Sequence, residues 1–315
     1  MKNLVFALVI LSFMSTLLAG CGPSMPPTLS PAVAAERAKH TVGAFESGKY
    51  RNLFAEYLGK SDAEAKARVD AAWDQLFYGD DDTERVYYPV DEDMAYIMDI
   101  GSDDVRSEGM SYGMMIAVQL DKQEEFDRLW KWAKTYMYHP DGPFKGYFSW
   151  HCTTSGMRLD DVPASDGEEW FVMSLLFAST RWGDGEGIFD YQTQAQEILD
   201  VMLHKEDEAD HGQATNMFDP MQKMVVFVPV MGGPASFSDP SYHLPAYYEL
   251  WGRWAQRDNQ FWLDAAQTSR AYFKKAAHPE TGLMPDYAQF NGKPFSFNGS
   301  GHEDFRFDAF RTLSN

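Results

Sequence analysis

Apolar residues recur at helical spacing through most of this chain. Val69, Trp73, Leu76 and Phe77 fall on one face of a predicted helix, and Ser61 followed three residues later by Glu64 forms a capping box that can start it. Phe126, Leu129, Trp130, Ala133 and Met137 form a second stripe behind an Asp121-x-x-Glu124 start. Tyr191, Ala195, Ile198, Leu199 and Met202 form a third. Residues 110–118 and 170–178 are apolar nearly all round, the pattern of helices buried on both sides. Residues 244–255, with Pro245 in the first turn, and 261–277 read as a further pair. Buried helices alternating with amphipathic ones predict an all-α fold of two concentric layers. Residues 85–90, 146–150 and 224–230 are β-prone and fall in the connections. No repeat of fixed period and no Gly/Ser linker interrupts residues 36–315, which read as one domain.

The first residues follow a different logic. Lys2 precedes an apolar stretch over 4–18, too short for a membrane span and suited to a secretory signal. The stretch ends in Leu18-Ala-Gly-Cys21, which resembles a bacterial lipobox. The expectation is a lipoprotein signal peptide over 1–20, lipidation at Cys21, and a flexible tether through residue 35. Four prolines between residues 22 and 31 suit that tether. The protein is then exported and lipid-anchored in the cell envelope, facing the periplasm or the cell surface. Cys152 is the only other cysteine, so no internal disulfide is expected.

Charge removes two classes of partner. With 27 Lys and Arg against 47 Asp and Glu, the net charge of −20 repels nucleic acid and anionic headgroups. Membrane contact is left to the lipid, and a monomer is expected. The eight histidines form no His-x-x-x-His or His-x-x-Glu pair, and the acidic loop at 79–84 lacks EF-hand spacing, so no metal or other cofactor is expected. Aromatic residues make up 15% of the chain, more than packing alone demands, and such rings are natural platforms for sugars.

Three carboxylates stand where loops give way to helix starts. Glu108 lies in Ser107-Glu-Gly-Met-Ser-Tyr-Gly-Met114, with Gly109 and Gly113 predicted to admit close approach of a ligand and Tyr112 one turn on. Asp166 precedes the apolar run at 170–178, where an ordinary N-cap is the alternative role. Asp308 stands three residues before Arg311, a helical spacing that keeps a carboxylate ionised or makes a simple surface ion pair. Two opposed carboxyl groups, one protonated and one ionised, are what acid–base cleavage of a glycosidic bond requires.

The stretches 107–114, Ala164-Ser-Asp-Gly-Glu-Glu169 and Phe307-Asp-Ala-Phe-Arg311 resemble, in that order, the motifs of glycoside hydrolase family 8. Phe126-Asp-Arg-Leu-Trp-Lys-Trp132, Gly146-Tyr-Phe-Ser-Trp150 and Asp239-Pro-Ser-Tyr-His-Leu-Pro-Ala246 are most similar to its xylan-directed branch, the reducing-end xylose-releasing exo-oligoxylanases and related endo-xylanases. The resemblance runs from about residue 40 to the last residue. It implies an (α/α)6 barrel and inverting hydrolysis of β-1,4-xylosidic bonds in xylo-oligosaccharides or xylan. By the same resemblance Glu108 is the general acid, Asp308 the general base, and Asp166 the carboxylate that binds and distorts the sugar. Tyr242 and Arg311 orient Asp308 and the water, and Trp150 stacks on a sugar ring; Tyr112 is expected in the substrate-binding set from its place one turn after Glu108 alone. Members of the family continue for several helices beyond the position of Asp308. The expectation is therefore a C-terminally truncated barrel with an apolar seam beside Asp308. A β-1,4-glucanase, a chitosanase and a non-catalytic oligosaccharide-binding lipoprotein remain as alternatives.

Overall fold

The computed structural model describes residues 51–299 and 301–315. The expected signal peptide, Cys21 and tether lie outside the described residues. Among those described, no helix is long and apolar enough to cross a membrane. The chain divides into two compact units at Val69/Asp70.

In the first unit, Asn52 caps α1 (Leu53–Leu58) by accepting the amides of Phe54 and Ala55, and Gly59 ends it at φ +64°. The predicted capping box then opens α2 (Asp62–Tyr78), whose residues from Asp70 onward belong to the second unit. Ser61 Oγ accepts the Glu64 amide at 3.2 Å while Glu64 Oε2 accepts the Ser61 amide at 2.9 Å. The predicted stripe on α2 is narrower than its sequence suggests. Trp73 and Phe77 are buried and stacked, whereas Val69 and Leu76 remain 41% and 38% exposed.

The second unit is built from α3 (Ser107–Gln119), α4 (Gln123–Trp132), α5 (Ser165–Trp182), α6 (Tyr191–His204), α7 (Pro245–Trp254) and α8 (Asn259–Ala276). The two all-round apolar segments, α3 and α5, pack directly on each other; α4 lies against α3, α6 against α5, and α7 against α8. The amphipathic stripes are buried as predicted: Phe126, Leu129 and Trp130 on α4, Ala133 and Met137 on the π-helical turn Ala133–Met137 that continues it, and Tyr191, Ala195, Ile198, Leu199 and Met202 on α6. One aromatic-rich core joins these helices.

Short antiparallel strands fill the connections. β1 (Tyr87–Val90) pairs with β2 (Met94–Ile97). β3 (Asp104–Arg106), β4 (His151–Thr153) and β5 (Arg158–Asp160) form a three-stranded sheet in that order, and β6 (Phe218–Asp219) pairs with β7 (Met224–Val225). The strand expected over 146–150 is displaced to β4, because Gly146 turns the chain at φ +88° and only Phe148 makes a bridge, to Tyr138.

Three expected helix starts also differ. Asp121 does not cap α4; it adopts φ +61° and its carboxylate accepts the Trp182 indole N–H at 2.8 Å. Asp166 is no N-cap but lies inside the first turn of α5, whose cap position is Ala164. Asp308 lies in the first turn of a 3₁₀ segment, Phe307–Leu313, instead of an α-helix. Around it Phe305, Phe307, Phe310 and Leu313 are exposed.

Candidate active site

One glycine places the first two carboxylates together. A Cβ on Gly167 would lie 2.4 Å from Ser107 Oγ, so only glycine lets the first turns of α5 and α3 meet there. Glu108 and Asp166 are the neighbours of these two contact points. Gly113 serves packing too: a Cβ there would meet Ile97 Cγ1 at 2.6 Å and Leu129 Cδ1 at 3.0 Å. Ligand access, expected at Gly109 and Gly113, is therefore not Gly113's role; it seats α3 on β2.

The far segment supplies the cation. Arg311 Nη1 donates to Glu108 Oε1, to the Tyr112 hydroxyl and, at 2.9 Å, to Asp166 Oδ2. Its Nη2 lies 2.8 Å from Asp308 Oδ2, at an angle that makes the contact an ion pair without a hydrogen bond. The Tyr242 ring sits over the same guanidinium, 5.5 Å from centroid to carbon. Arg311 was expected to orient Asp308; it holds all three carboxylates and Tyr112 as well.

The charge balance at this cluster favours protons. Burial pushes the Glu108 carboxyl up to about 8, the nearby Asp166 charge adds to the shift, and Arg311 opposes it without prevailing. Asp166 is also raised, again by burial first, with Arg311 pulling against it. The same acids reinforce the positive charge of Arg311.

A cavity of about 620 Å³ opens over the cluster, bounded by Arg106, Glu108, Trp150, Asp166, Asp239, Tyr242, Asp286, His302, Phe307 and Asp308. Trp150 is backed by the His151 ring at 4.5 Å and by Arg106, whose guanidinium carbon is 5.6 Å from its centroid. Asp104 joins these two supports, accepting from Arg106 Nε at 3.1 Å and pairing with His151 Nε2 at 2.7 Å. Tyr242 is carried by a short turn, Pro240–Tyr242, capped by buried Asp239, which accepts the Ser241 amide at 2.7 Å. Behind that turn the buried His243 ring bridges Ser238 and Ser269, and burial keeps it neutral by lowering its pKa to about 3.

Asp239, Asp286 and His302 are among the cavity residues that escaped the sequence reading. The Asp239-Pro-Ser-Tyr motif carried a signal for the first. The other two sit in connections without periodicity, and only the chain's return past Asp308 brings them in. Phe307, just before Asp308, adopts φ +43°, a left-handed conformation that strains an aromatic residue by about 1–3 kcal/mol.

Three carboxyl groups gathered on one guanidinium, beneath a cleft walled by aromatic rings, make up a site suited to a glycosidase. The model of glycosyl hydrolases family 8 matches residues 96–313. The chain belongs to glycoside hydrolase family 8. It is 50% identical over 277 residues to the reducing-end xylose-releasing exo-oligoxylanase Rex8A of Paenibacillus barcinonensis, covering 87% of this chain and 70% of that protein. It is 46% identical over 279 residues to the reducing end xylose-releasing exo-oligoxylanase of Halalkalibacterium halodurans, covering 88% of this chain and 69% of that one. Among solved structures it is similar to Rex8A complexed with xylose, with TM-score 0.81 and 49% identity across 87% of this chain and 71% of that one. A xylobiose complex of a family 8 protein from Teredinibacter turnerae is equally similar, with TM-score 0.81 and 48% identity across 87% of this chain and 72% of that one.

Proposed function

We propose that this enzyme hydrolyses β-1,4-xylosidic bonds in xylo-oligosaccharides by single displacement with inversion. One observation carries the assignment of roles: Glu108, kept protonated by burial, and Asp308, paired to Arg311, share a single guanidinium at the floor of one cleft. Glu108 donates its proton to the glycosidic oxygen as the bond to the anomeric carbon breaks. Asp308 accepts a proton from the water that attacks the opposite face of that carbon. Asp166, on the same Arg311 nitrogen as Glu108, holds and distorts the sugar at the cleavage position. Tyr242 and Arg311 orient Asp308 and the water, Trp150 stacks on a pyranose, and Tyr112 steadies Glu108 and the bound ring.

Identity to the exo-oligoxylanases favours xylose chains over glucose chains, since endoglucanase C of Ruminiclostridium cellulolyticum is 31% identical over 211 residues. Architecturally, the helix pairs of the second unit read as part of an (α/α)6 barrel. The enzyme is further proposed to be an exported monomer held at the envelope by lipid on Cys21.

The test is product analysis on xylotriose, xylohexaose, β-glucan, carboxymethyl cellulose and chitosan, with proton NMR following the first anomer released. The α-anomer and fastest turnover on xylo-oligosaccharides are expected. A β-anomer at the outset defeats inversion, and faster turnover of cellulose or chitosan defeats the choice of substrate.

A further inference from the structure

Asp286 and His302 lie outside the roles assigned above, yet both face the cleft and both reach the segment that carries Asp308. The Asp286 carboxylate is almost fully buried and has two partners. Oδ1 accepts the backbone N–H of Asp308 at 3.3 Å, and Oδ2 pairs with His302 Nδ1 at 2.5 Å. The two strands of chain are also tied by their backbones, with the Asp286 amide on the Asp304 carbonyl at 3.0 Å and the Tyr287 amide on the His302 carbonyl at 2.9 Å. Asp286 thus grips Asp308 by its main chain, immediately after the left-handed Phe307 at φ +43°. A strained turn persists only when its surroundings over-determine it, and this hydrogen bond is part of that surrounding.

His302 is fixed on two sides. Its ring stacks on Tyr287 with centroids 4.0 Å apart and planes 8° from parallel, and Nδ1 is committed to Asp286. The remaining nitrogen, Nε2, has no hydrogen-bonding partner among the described residues, while the ring lines the same cavity as Asp308 and Trp150. An imidazole whose Nδ1–H is held by a carboxylate presents Nε2 as an acceptor when neutral and as a donor when protonated. Either form suits a hydroxyl group.

We propose that Asp286 is a positioning residue for Asp308 and that His302 Nε2 binds a hydroxyl of the pyranose seated in the cleft. The pair couples the two tasks: His302 orients the Asp286 carboxylate, and that carboxylate holds the backbone of the base. The inference rests on the reading of Asp308 as general base.

The two ring nitrogens can be separated by substitution, because an asparagine amide mimics Nδ1 and a glutamine amide mimics Nε2. His302→Asn keeps the bond to Asp286 and loses the sugar contact. It should raise KM for xylotriose about tenfold, the size of one hydrogen bond to a neutral group, with kcat within about threefold. His302→Gln keeps the sugar contact and releases Asp286, so kcat should fall about tenfold with KM within about threefold. Asp286→Asn should lower kcat in the same way. Melting curves establish that the variants are folded, and if Asp286→Asn does not fold the two His302 variants decide.

The inference is overturned if both His302 variants match the parent protein, or if both shift kcat and KM alike. Asp308→Asn separates this outcome from failure of the base assignment. An active Asp308→Asn removes the base itself. An inactive Asp308→Asn beside unchanged His302 variants removes only the role given to Asp286 and His302.

Discussion

Arg311 is the residue on which the site turns, since one nitrogen serves Glu108, Tyr112 and Asp166 and the other faces Asp308. A lysine offers a point charge without the planar fork, so Arg311→Lys cannot hold acid and base at once. Its kcat on xylotriose should fall by about 10²-fold or more, the scale of a lost charge-positioning group. Glu108 sets the alkaline limit. Its carboxyl lies at about 8 in the folded protein against an ordinary 4.5, so the folded state binds this proton more tightly than the unfolded chain. The resulting stability is complete below the ordinary value and is lost as pH rises through the folded value. Activity falls in the same direction, because a deprotonated Glu108 has nothing to donate. A kcat/KM profile should show its basic limb near that value, and Glu108→Gln should lower kcat by about 10²–10⁴-fold. Near-parental turnover in Glu108→Gln would remove the acid assignment.

Between elements, contact distances matter more than side-chain chemistry. Gly167 lets α5 touch α3 at Ser107, and the carboxyl groups on either side of that contact are Asp166 and Glu108. Adding a methyl at Gly167 forces the helix starts apart, and displacement by about 1 Å at a reacting centre can lower turnover by about 10²-fold. Gly167→Ala should show that loss in a xylotriose assay, and Ser107→Gly should restore part of it by emptying the space the methyl needs. If the single variant is fully active, the contact does not set the carboxylate spacing. The helices themselves were legible because Phe126 to Met137 and Tyr191 to Met202 repeat at the helical period. The carboxylates were legible because each stands in a motif of the family. Contacts such as Gly113 on Ile97, or Asp286 on the Asp308 backbone, join residues distant in sequence and leave no periodic trace. The short strands were partly missed for a related reason: β4 forms where β3 and β5 supply partners, one step past the β-prone run at 146–150.

At the scale of the whole molecule, an acidic surface and an aromatic core suit work on neutral polysaccharide. If Cys21 carries the lipid, Cys21→Ser should leave a soluble exported form, read as the loss of radiolabelled fatty acid from the protein expressed in a bacterial host. Persisting label would refute attachment there. The other cysteine then becomes the sole thiol. Cys152 lies on β4 beside His151, fully buried, and burial pushes its thiol up to about 11. A maleimide can reach it only when the sheet β3–β4–β5 parts from its surroundings. The rate of alkylation is therefore a clock for local opening two residues from Trp150, and a sugar that clamps the Trp150 ring will slow that clock without any chemistry taking place.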